Sequence, residues 1–329
     1  MAPAALERLA RGGGLRIRAA ESLPGDLTHR RYIRLHTDGG GSVMGVVYPA
    51  GDEDTRRRWV AARQCLSSRV RVPRLIADDG AGSQILEDLG AEDLAARLGA
   101  RPAERGDWLS RAAIAAAAIA DCPDPELNPP FDAAFFRREL ELAREAVFDL
   151  WLAAPLTAPE RSLHDAWADA LCREVASHPR VLCHRDYHAN NLFPAGNEVA
   201  AIDFQDLRTG PDTYDVASLL WERTTLPWMT PEMAAPVVAR LAAARGASQE
   251  HIAGRLDTVL LQRAWKVCGT FARAVSQGRG VVYRDYLPGQ LRLVDRLLSR
   301  RGDGGFGRVL RTRTAAFLEG AGPSRPPTC

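Results

Sequence analysis

The period of the hydrophobic pattern changes near residue 90. Before it, short runs rich in β-branched and aromatic residues alternate with glycine-containing turns, as is typical of strands. After it, apolar residues recur every three or four positions, as is typical of amphipathic helices. This order predicts an α+β fold of two lobes, a small β-rich N-terminal lobe and a larger, mainly helical C-terminal lobe. We place the first lobe at 1–86, a hinge at 87–90, the second lobe at 91–321 and a disordered tail at 322–329.

Individual elements support that division. One helix at 52–68 interrupts the N-terminal strands, which are predicted at 15–20, 28–36, 42–48, 72–77 and 83–86. A β-like stretch at 181–203 interrupts the C-terminal helices. Those helices are predicted at 91–98, 104–120, 131–152, 159–177, 213–224, 231–245, 249–277 and 283–300. A cleft between two such lobes is the expected place for a small ligand.

Arginine supplies almost all of the positive charge. Of the 43 basic residues, 42 are arginine and one, Lys266, is lysine. A phosphate-binding P-loop needs Gly-Lys-Ser/Thr, whereas Lys266 lies in Ala-Trp-Lys-Val, so that class of nucleotide site is excluded. Residues 207–329 carry a net charge of +8, from 18 basic and 10 acidic residues. Residues 1–206 carry a net charge of −6, from 25 basic and 31 acidic residues. The arginines follow helical patterns without interleaved aromatic residues, which favours solvated helix faces over nucleic-acid binding.

The sequence lacks the marks of secreted and membrane proteins. No apolar run approaches the roughly 20 residues that a membrane-spanning helix requires, and the first residues lack the apolar core of a secretory signal. The six cysteines are widely spaced and form no C-x-x-C pair, which argues against a zinc site or a disulfide framework. We therefore expect a cytoplasmic protein without a membrane partner.

Oxygen-bearing side chains cluster around the β-like stretch of the C-terminal lobe. Asp186 follows its first strand, Asn191 comes five residues later, and Asp203 follows its last strand. Two carboxylates and an amide suit a hard cation such as Mg²⁺, and a carboxylate that binds no metal is available to accept a proton from a hydroxyl. Phosphoryl transfer from a nucleotide requires this division of labour. Such loops are also common turn formers, but His-x-Asp-x₄-Asn, a strand and Ile-Asp-Phe have the spacing of kinase motifs.

The chain resembles a known superfamily on these residues. The aminoglycoside phosphotransferase and choline kinase superfamily has motifs similar to His184-Arg-Asp-Tyr-His-Ala-Asn-Asn191, Ile202-Asp-Phe-Gln-Asp206 and Gly210-Pro-Asp-Thr-Tyr-Asp-Val-Ala-Ser-Leu-Leu220. With Thr28-His-Arg-Arg-Tyr-Ile-Arg34, the resemblance is greatest to the bacterial anomeric kinases of N-acetylmuramate and N-acetylglucosamine. It covers roughly residues 15–300. It implies a protein-kinase-like fold, ATP and Mg²⁺ as cofactors, and a role in cell-wall recycling.

The resemblance assigns the catalytic and nucleotide-binding roles position by position. Asp186 would be the catalytic base, and Asn191 and Asp203 would be the magnesium ligands. Backbone groups from Glu87 to Leu89 would bind adenine. These assignments place the reacting groups between the two lobes.

Further residues of the resemblance would surround the reacting groups. The loop 23–29 would cover the phosphates, and His184 and Asp215 would support the catalytic loop. His188 and Gln205 are candidate substrate contacts, although His188 would serve equally well as a brace for the loop.

The third strand departs from the superfamily. The wider superfamily has a lysine there, which pairs with phosphates and with a glutamate of the next helix; here the strand reads Ser42-Val-Met-Gly-Val-Val47, and 55–66 contains no glutamate. Loss of both is coherent, because a buried charge without its partner is costly. Arg31 or Arg34 on the preceding strand is the candidate replacement. Strand alternation puts the two on opposite faces, and each is equally well a solvated charge.

The expected activity is therefore that of an ATP- and Mg²⁺-dependent small-molecule kinase acting on a sugar hydroxyl. By resemblance, this is the anomeric hydroxyl of N-acetylmuramate or N-acetylglucosamine. Two alternatives remain open: a kinase for an aminoglycoside or a choline-like amino alcohol, and a catalytically silent pseudokinase that binds nucleotide. The +8 balance of residues 207–329 suits an anionic sugar better than a polycation. An intact set of Asp186, Asn191 and Asp203 argues against loss of catalysis.

Overall fold

Five antiparallel strands form the N-terminal sheet in the computed structural model, which describes residues 3–23, 30–278 and 282–320. In chain order they are β1 (Ile17–Ser22), β2 (Arg31–Thr37), β3 (Ser42–Val47), β4 (Leu75–Asp78) and β5 (Ser83–Glu87). They are arranged β1-β2-β3-β5-β4, and β5 leads directly into the segment that joins the lobes. The predicted two-lobed α+β arrangement is confirmed.

One face of this sheet is covered by a helix that the sequence analysis does not predict. Helix α1 (Ala4–Gly12) packs on β5 and β4, and its Leu6 is fully buried in a small core with Ile33 and Leu35 of β2. The helix comes so close that a Cβ added at Gly45 would lie 2.6 Å from the Leu6 side chain. The opposite face of the sheet is thereby left to form the wall of a cleft.

The helical lobe is built around α9 (Gln249–Ser276), which is buried along most of its length. A Cβ on Gly269 of α9 would lie 2.4 Å from Cα of Ala143, so the close packing of α9 on this neighbouring residue requires a glycine at position 269. The helices packed directly on α9 are α5 (Ala133–Arg144), α6 (Ala158–Ala176), α7 (Tyr214–Trp221), α8 (Pro231–Arg245) and α10 (Val282–Arg301).

The remaining helices complete the two lobes. Helix α2 (Glu53–Leu66) of the N-terminal lobe stacks its Trp59 on Phe204, with ring centroids 5.4 Å apart. The C-terminal lobe also contains α3 (Leu94–Ala100), α4 (Arg105–Ala120) and α11 (Gly304–Gly320), the last of which is absent from the predicted elements. A π-helical segment, Glu145–Trp151, extends α5.

Two small antiparallel ladders position the motif residues. Strand β6 (Arg180–Cys183) pairs with β9 (Arg208–Pro211), and β7 (Leu192–Ala195) pairs with β8 (Glu198–Ala201). Between the ladders, the N–H of Ile202 donates to the carbonyl of Asn191 (2.9 Å), and His184 Nε2 lies 2.9 Å from the carbonyl of Ile202. The loop after β6 and the segment after β8 therefore lie side by side.

Some predictions fall on other parts of the chain. The predicted tail at 322–329 and residues 24–29 of the phosphate-covering loop lie outside the described residues. In the described ranges, no helix combines the length and the apolar character needed to cross a membrane.

Candidate active site

A cleft of about 770 Å³ lies between the sheet and the helical lobe. The three oxygen-bearing residues of the sequence motif, Asp186, Asn191 and Asp203, all line it. One end is bounded by Met44, Leu86 and the segment that joins the lobes, and the other by side chains of α9 and α10. The structure thus brings the predicted catalytic and metal-binding residues into one open crevice.

The Asp186 carboxylate has no hydrogen-bond partner among the described residues. Burial alone would raise the pKa of this carboxyl, but the positive charges of Lys266, Arg185 and Arg263 outweigh burial and hold it well below its usual range. Asp186 is therefore an ionised, unpaired carboxylate facing the cleft, as a group that orients a hydroxyl and accepts its proton must be.

The Asn191 side chain has a defined orientation. Its amide nitrogen donates to the backbone carbonyl of Asp186 (2.9 Å) and lies 3.4 Å from His188 Nε2. These contacts assign the nitrogen to the protein side and leave Oδ1 without a partner in the described part of the chain. A free amide oxygen at the cleft fits a hard cation.

Asp203 presents one free oxygen. Its Oδ1 accepts from Arg30 Nη2 (2.8 Å) and Gln205 Nε2 (3.0 Å), whereas Oδ2 has no partner among the described residues. Its backbone lies in the left-handed region, with a φ of 62°. Arg185, beside Asp186, has a φ of 81°. Left-handed conformations at non-glycine residues are costly and concentrate at functional sites, and here two flank the same cleft.

Buried groups hold the loop that carries Asp186. The Asp215 carboxylate accepts from the backbone N–H groups of His184 (2.7 Å) and Arg185 (3.0 Å), and Arg263 donates to the carbonyl of Arg185 (3.0 Å). Burial raises the pKa of Asp215, although both N–H contacts oppose that rise. His184 is fully buried against Ile202. Together these contacts impose the left-handed turn before Asp186.

The two candidate substrate contacts differ in their surroundings. His188 lines the cleft, and burial lowers the pKa of its imidazole. Gln205 is 4% exposed and uses its side chain on Asp203, with its Oε1 3.4 Å from Arg30 Nη1. Gln205 also lines the cleft, and its side chain positions a predicted metal ligand.

In the joining segment, Leu89 offers a backbone donor and acceptor to the cleft. The N–H of Glu87 donates to the carbonyl of Arg74, and the Glu87 carboxylate pairs with Arg71. The N–H and the carbonyl of Leu89 make no hydrogen bond with the described residues, and Leu89 lines the cleft. A donor and an acceptor on one residue suit the hydrogen-bonding edge of a purine.

The structure corrects the choice of arginine on β2. Arg31 lies on the face of β2 that α1 covers; its side chain is exposed and does not line the cleft. Arg34 lines the cleft but donates to Asp88 (2.6 Å) and to the carbonyl of Gly90 (2.8 Å), so it braces the joining segment. Arg30, which the sequence analysis did not select, is buried and reaches Asp203.

The fold and the site together define a protein-kinase-like phosphotransferase with a cleft between two lobes. Residues 19–256 match the model of the phosphotransferase enzyme family. The chain belongs to that family and is a phosphotransferase.

Individual relatives agree with this membership. The chain is similar to the N-acetylmuramate/N-acetylglucosamine kinase of Pseudomonas aeruginosa, with 29% identity over 291 residues, 86% of this chain and 85% of the relative. In fold it is similar to a choline/ethanolamine kinase family protein from Mesorhizobium loti (TM-score 0.62, 16% identity, 89% and 92% of the two chains). It is also similar to an amicoumacin kinase in complex with AMP-PNP and Ca²⁺ (TM-score 0.61, 12% identity, 89% and 94%). These structures support the predicted protein-kinase-like fold.

Proposed function

We propose that this chain is an ATP- and Mg²⁺-dependent kinase for the anomeric hydroxyl of an N-acetylated amino sugar, N-acetylmuramate or N-acetylglucosamine. The single observation that carries the reaction is the unpaired, ionised Asp186 in the same crevice as the free oxygens of Asn191 and Asp203. The acceptor class follows from the name of the Pseudomonas aeruginosa relative, which resembles most of the chain. The role would be cytoplasmic and part of cell-wall recycling.

The nucleotide would lie between the lobes. The N–H and carbonyl of Leu89 would bind the adenine edge, with Met44 and Leu86 against its faces. We keep 87–90 as the hinge, 1–86 as the nucleotide-binding lobe and 91–321 as the acceptor-binding lobe.

The phosphates would meet the free oxygens through a metal ion. Asn191 Oδ1 and Asp203 Oδ2 would hold Mg²⁺, which when bound neutralises charge on the phosphates. Arg30, rather than a third-strand lysine, would add positive charge beside them, because its guanidinium is already fixed against Asp203. Gln205 would keep the Asp203 carboxylate in its rotamer.

The acceptor would occupy the end of the cleft formed by α9 and α10. Asp186 orients the hydroxyl and takes its proton as the new bond to phosphorus forms. Among the described residues, Arg223, Arg263 and Lys266 line this end, and Glu222 is the one carboxylate there besides Asp186. This balance disfavours a polycationic aminoglycoside or a choline-like cation as the acceptor.

An acceptor panel tests the proposal. ADP release is measured with N-acetylmuramate, N-acetylglucosamine, an aminoglycoside and choline, and the Asp186→Asn variant controls for contaminating kinases. We expect turnover of both sugars and none of the methyl glycoside of N-acetylglucosamine, whose anomeric oxygen is blocked. Faster turnover of an aminoglycoside or choline would contradict the acceptor class. ATP binding without turnover of any acceptor would support the pseudokinase alternative.

A further inference from the structure

The only lysine of the chain lies in the cleft. Arginine occupies the other 42 basic positions, including every other basic residue that lines the cleft. Lys266 is on α9, one turn after Arg263, and lines the wall with Val267 and Thr270. A lysine differs from an arginine in presenting a compact point charge on a flexible stem, so this position has a chemistry found nowhere else in the chain.

The ammonium of Lys266 is not used by the protein. It forms no ion pair and no side-chain hydrogen bond with any described residue. Arg263 is the contrast: it donates to Ser218 (2.8 Å) and to the carbonyl of Arg185, and it lies 3.8 Å from Glu222. No described group lies within ion-pair distance of the Lys266 ammonium at the wall of the cleft, so this ammonium is available to bind an anionic group of a ligand.

The position of Lys266 relative to Asp186 selects the anion. Arg263, one turn before Lys266 on α9, donates to the carbonyl of Arg185, the residue next to Asp186. Lys266 and Asp186 line the same cleft, so α9 places the ammonium on the wall beside the loop that carries Asp186. The group that must pass beside Asp186 in every turnover is the transferring phosphoryl. An acceptor carboxylate is present on N-acetylmuramate but absent from N-acetylglucosamine, so it would leave Lys266 unpaired with the second sugar.

We infer that Lys266 is a catalytic residue whose ammonium binds a nonbridging oxygen of the transferring γ-phosphoryl group from the acceptor side of the cleft. In this step the acceptor oxygen forms a bond to the γ-phosphorus, and its proton passes to Asp186. The bond from that phosphorus to the β,γ-bridging oxygen breaks, and ADP leaves with the electron pair. The inference rests on the proposed use of ATP but not on the identity of the acceptor.

The lone lysine permits a direct binding test. Reductive methylation with ¹³C-formaldehyde labels only Lys266 and the N-terminal amine and keeps their charge. The Lys266→Arg variant identifies the Lys266 signal by its loss. We expect that signal to shift when Mg²⁺ and AMP-PNP are added and to stay in place with Mg²⁺ and ADP. The inference would be overturned if the signal had the same position with AMP-PNP as with ADP, or if it shifted on addition of N-acetylmuramate alone. No acceptor is turned over here, so a wrong acceptor class does not affect the reading.

Steady-state kinetics provide a second test of the role of Lys266. Lys266→Met should lower kcat by about 10²- to 10³-fold with either sugar, the usual loss for one group that stabilises transition-state charge, and should leave the KM of each sugar within about threefold. The matched control is Arg273→Met, which removes a cation from the same helix that does not line the cleft; Arg273 lies in an outer groove that Lys266 also borders. It should keep the kcat of the unmodified chain. If the variant instead had only a higher KM for N-acetylmuramate, Lys266 would bind the carboxylate of that sugar, and the assignment would be refuted.

Discussion

Arg30 and Asp203 form an ion pair across the cleft, with Nη2 2.8 Å from Oδ1. Arg30 directly precedes β2 in the N-terminal lobe, and Asp203 lies in the segment after β8 in the C-terminal lobe. The pair uses one oxygen of the carboxylate and leaves the other without a partner in the described ranges. A fixed positive charge therefore lies beside the predicted metal ligand even though β3 has no lysine.

Arg30→Met should raise the KM of ATP and lower kcat/KM by about 10- to 100-fold, because a hydrogen bond to a charged group contributes about 1.5–3 kcal/mol. Arg31→Met is the matched control, because the neighbouring arginine is exposed and points to the face of β2 opposite the cleft. Steady-state kinetics with varied ATP measure both. Equal losses in the two variants would contradict a specific role for Arg30.

Asp203→Ala should abolish turnover, since it removes one predicted Mg²⁺ ligand and the partner of Arg30 together. In the unmodified chain, chelation of divalent ions should stop turnover, and added Mg²⁺ should restore it. Circular dichroism of the variant and of the chelated protein checks that both stay folded. Near-normal rates in Asp203→Ala would refute the metal assignment.

Asp215→Asn should destabilise the loop before Asp186. The carboxylate gives one oxygen to each of the N–H groups of His184 and Arg185, whereas an amide has a single acceptor oxygen. We expect a loss of about 2 kcal/mol in the free energy of unfolding, hence a fall in Tm of about 4–8 °C, together with a lower kcat. Thermal unfolding and kinetics measure the two effects. An unchanged kcat at temperatures where the variant is folded would show that the loop does not need this support.

His164 of α6 should make stability depend on pH. Its ring is fully buried, its Nε2 has no partner among the described residues, and burial lowers its pKa from 6.5 to about 4 although Asp165 opposes the shift. A lowered pKa in the folded state gives stability that is complete above pH 6.5 and is lost as the pH falls toward about 4. This group should cost about 2 kcal/mol by pH 5. Denaturant titrations at pH 7 and pH 5 should show that much less pH dependence in His164→Gln. An equal loss of unfolding free energy between pH 7 and pH 5 in the variant and the unmodified chain would contradict the prediction.

The motif residues could be predicted from sequence because their spacing is local. Asp186, Asn191 and Asp203 belong to one stretch of about twenty residues, and β7 and β8 fold that stretch back on itself. Lys266 lies eighty positions from Asp186 in the chain, and only the packing of α9 brings it to the cleft. No sequence pattern links the two.

The choice among the β2 arginines depended on an element that the sequence analysis omitted. Strand alternation separates Arg31 from Arg30 and Arg34 but leaves the two faces equivalent. Helix α1 decides between them, because it covers the side that carries Ile33. Helices as short as α1 are marginal in isolation and depend on packing. Helix α11 was missed for another reason: it opens with glycines, which are poor helix formers.

The close seating of α1 on Gly45 has a practical consequence for anyone who shortens this protein. A version beginning after residue 12 would strip the cover from Ile33, Leu35, Val43 and Ile85, which share one core with Leu6. Those side chains would form a continuous exposed hydrophobic patch on the sheet, and patches of this kind promote aggregation. Such a truncated sample would precipitate or self-associate, and its low activity would be mistaken for a defect in chemistry.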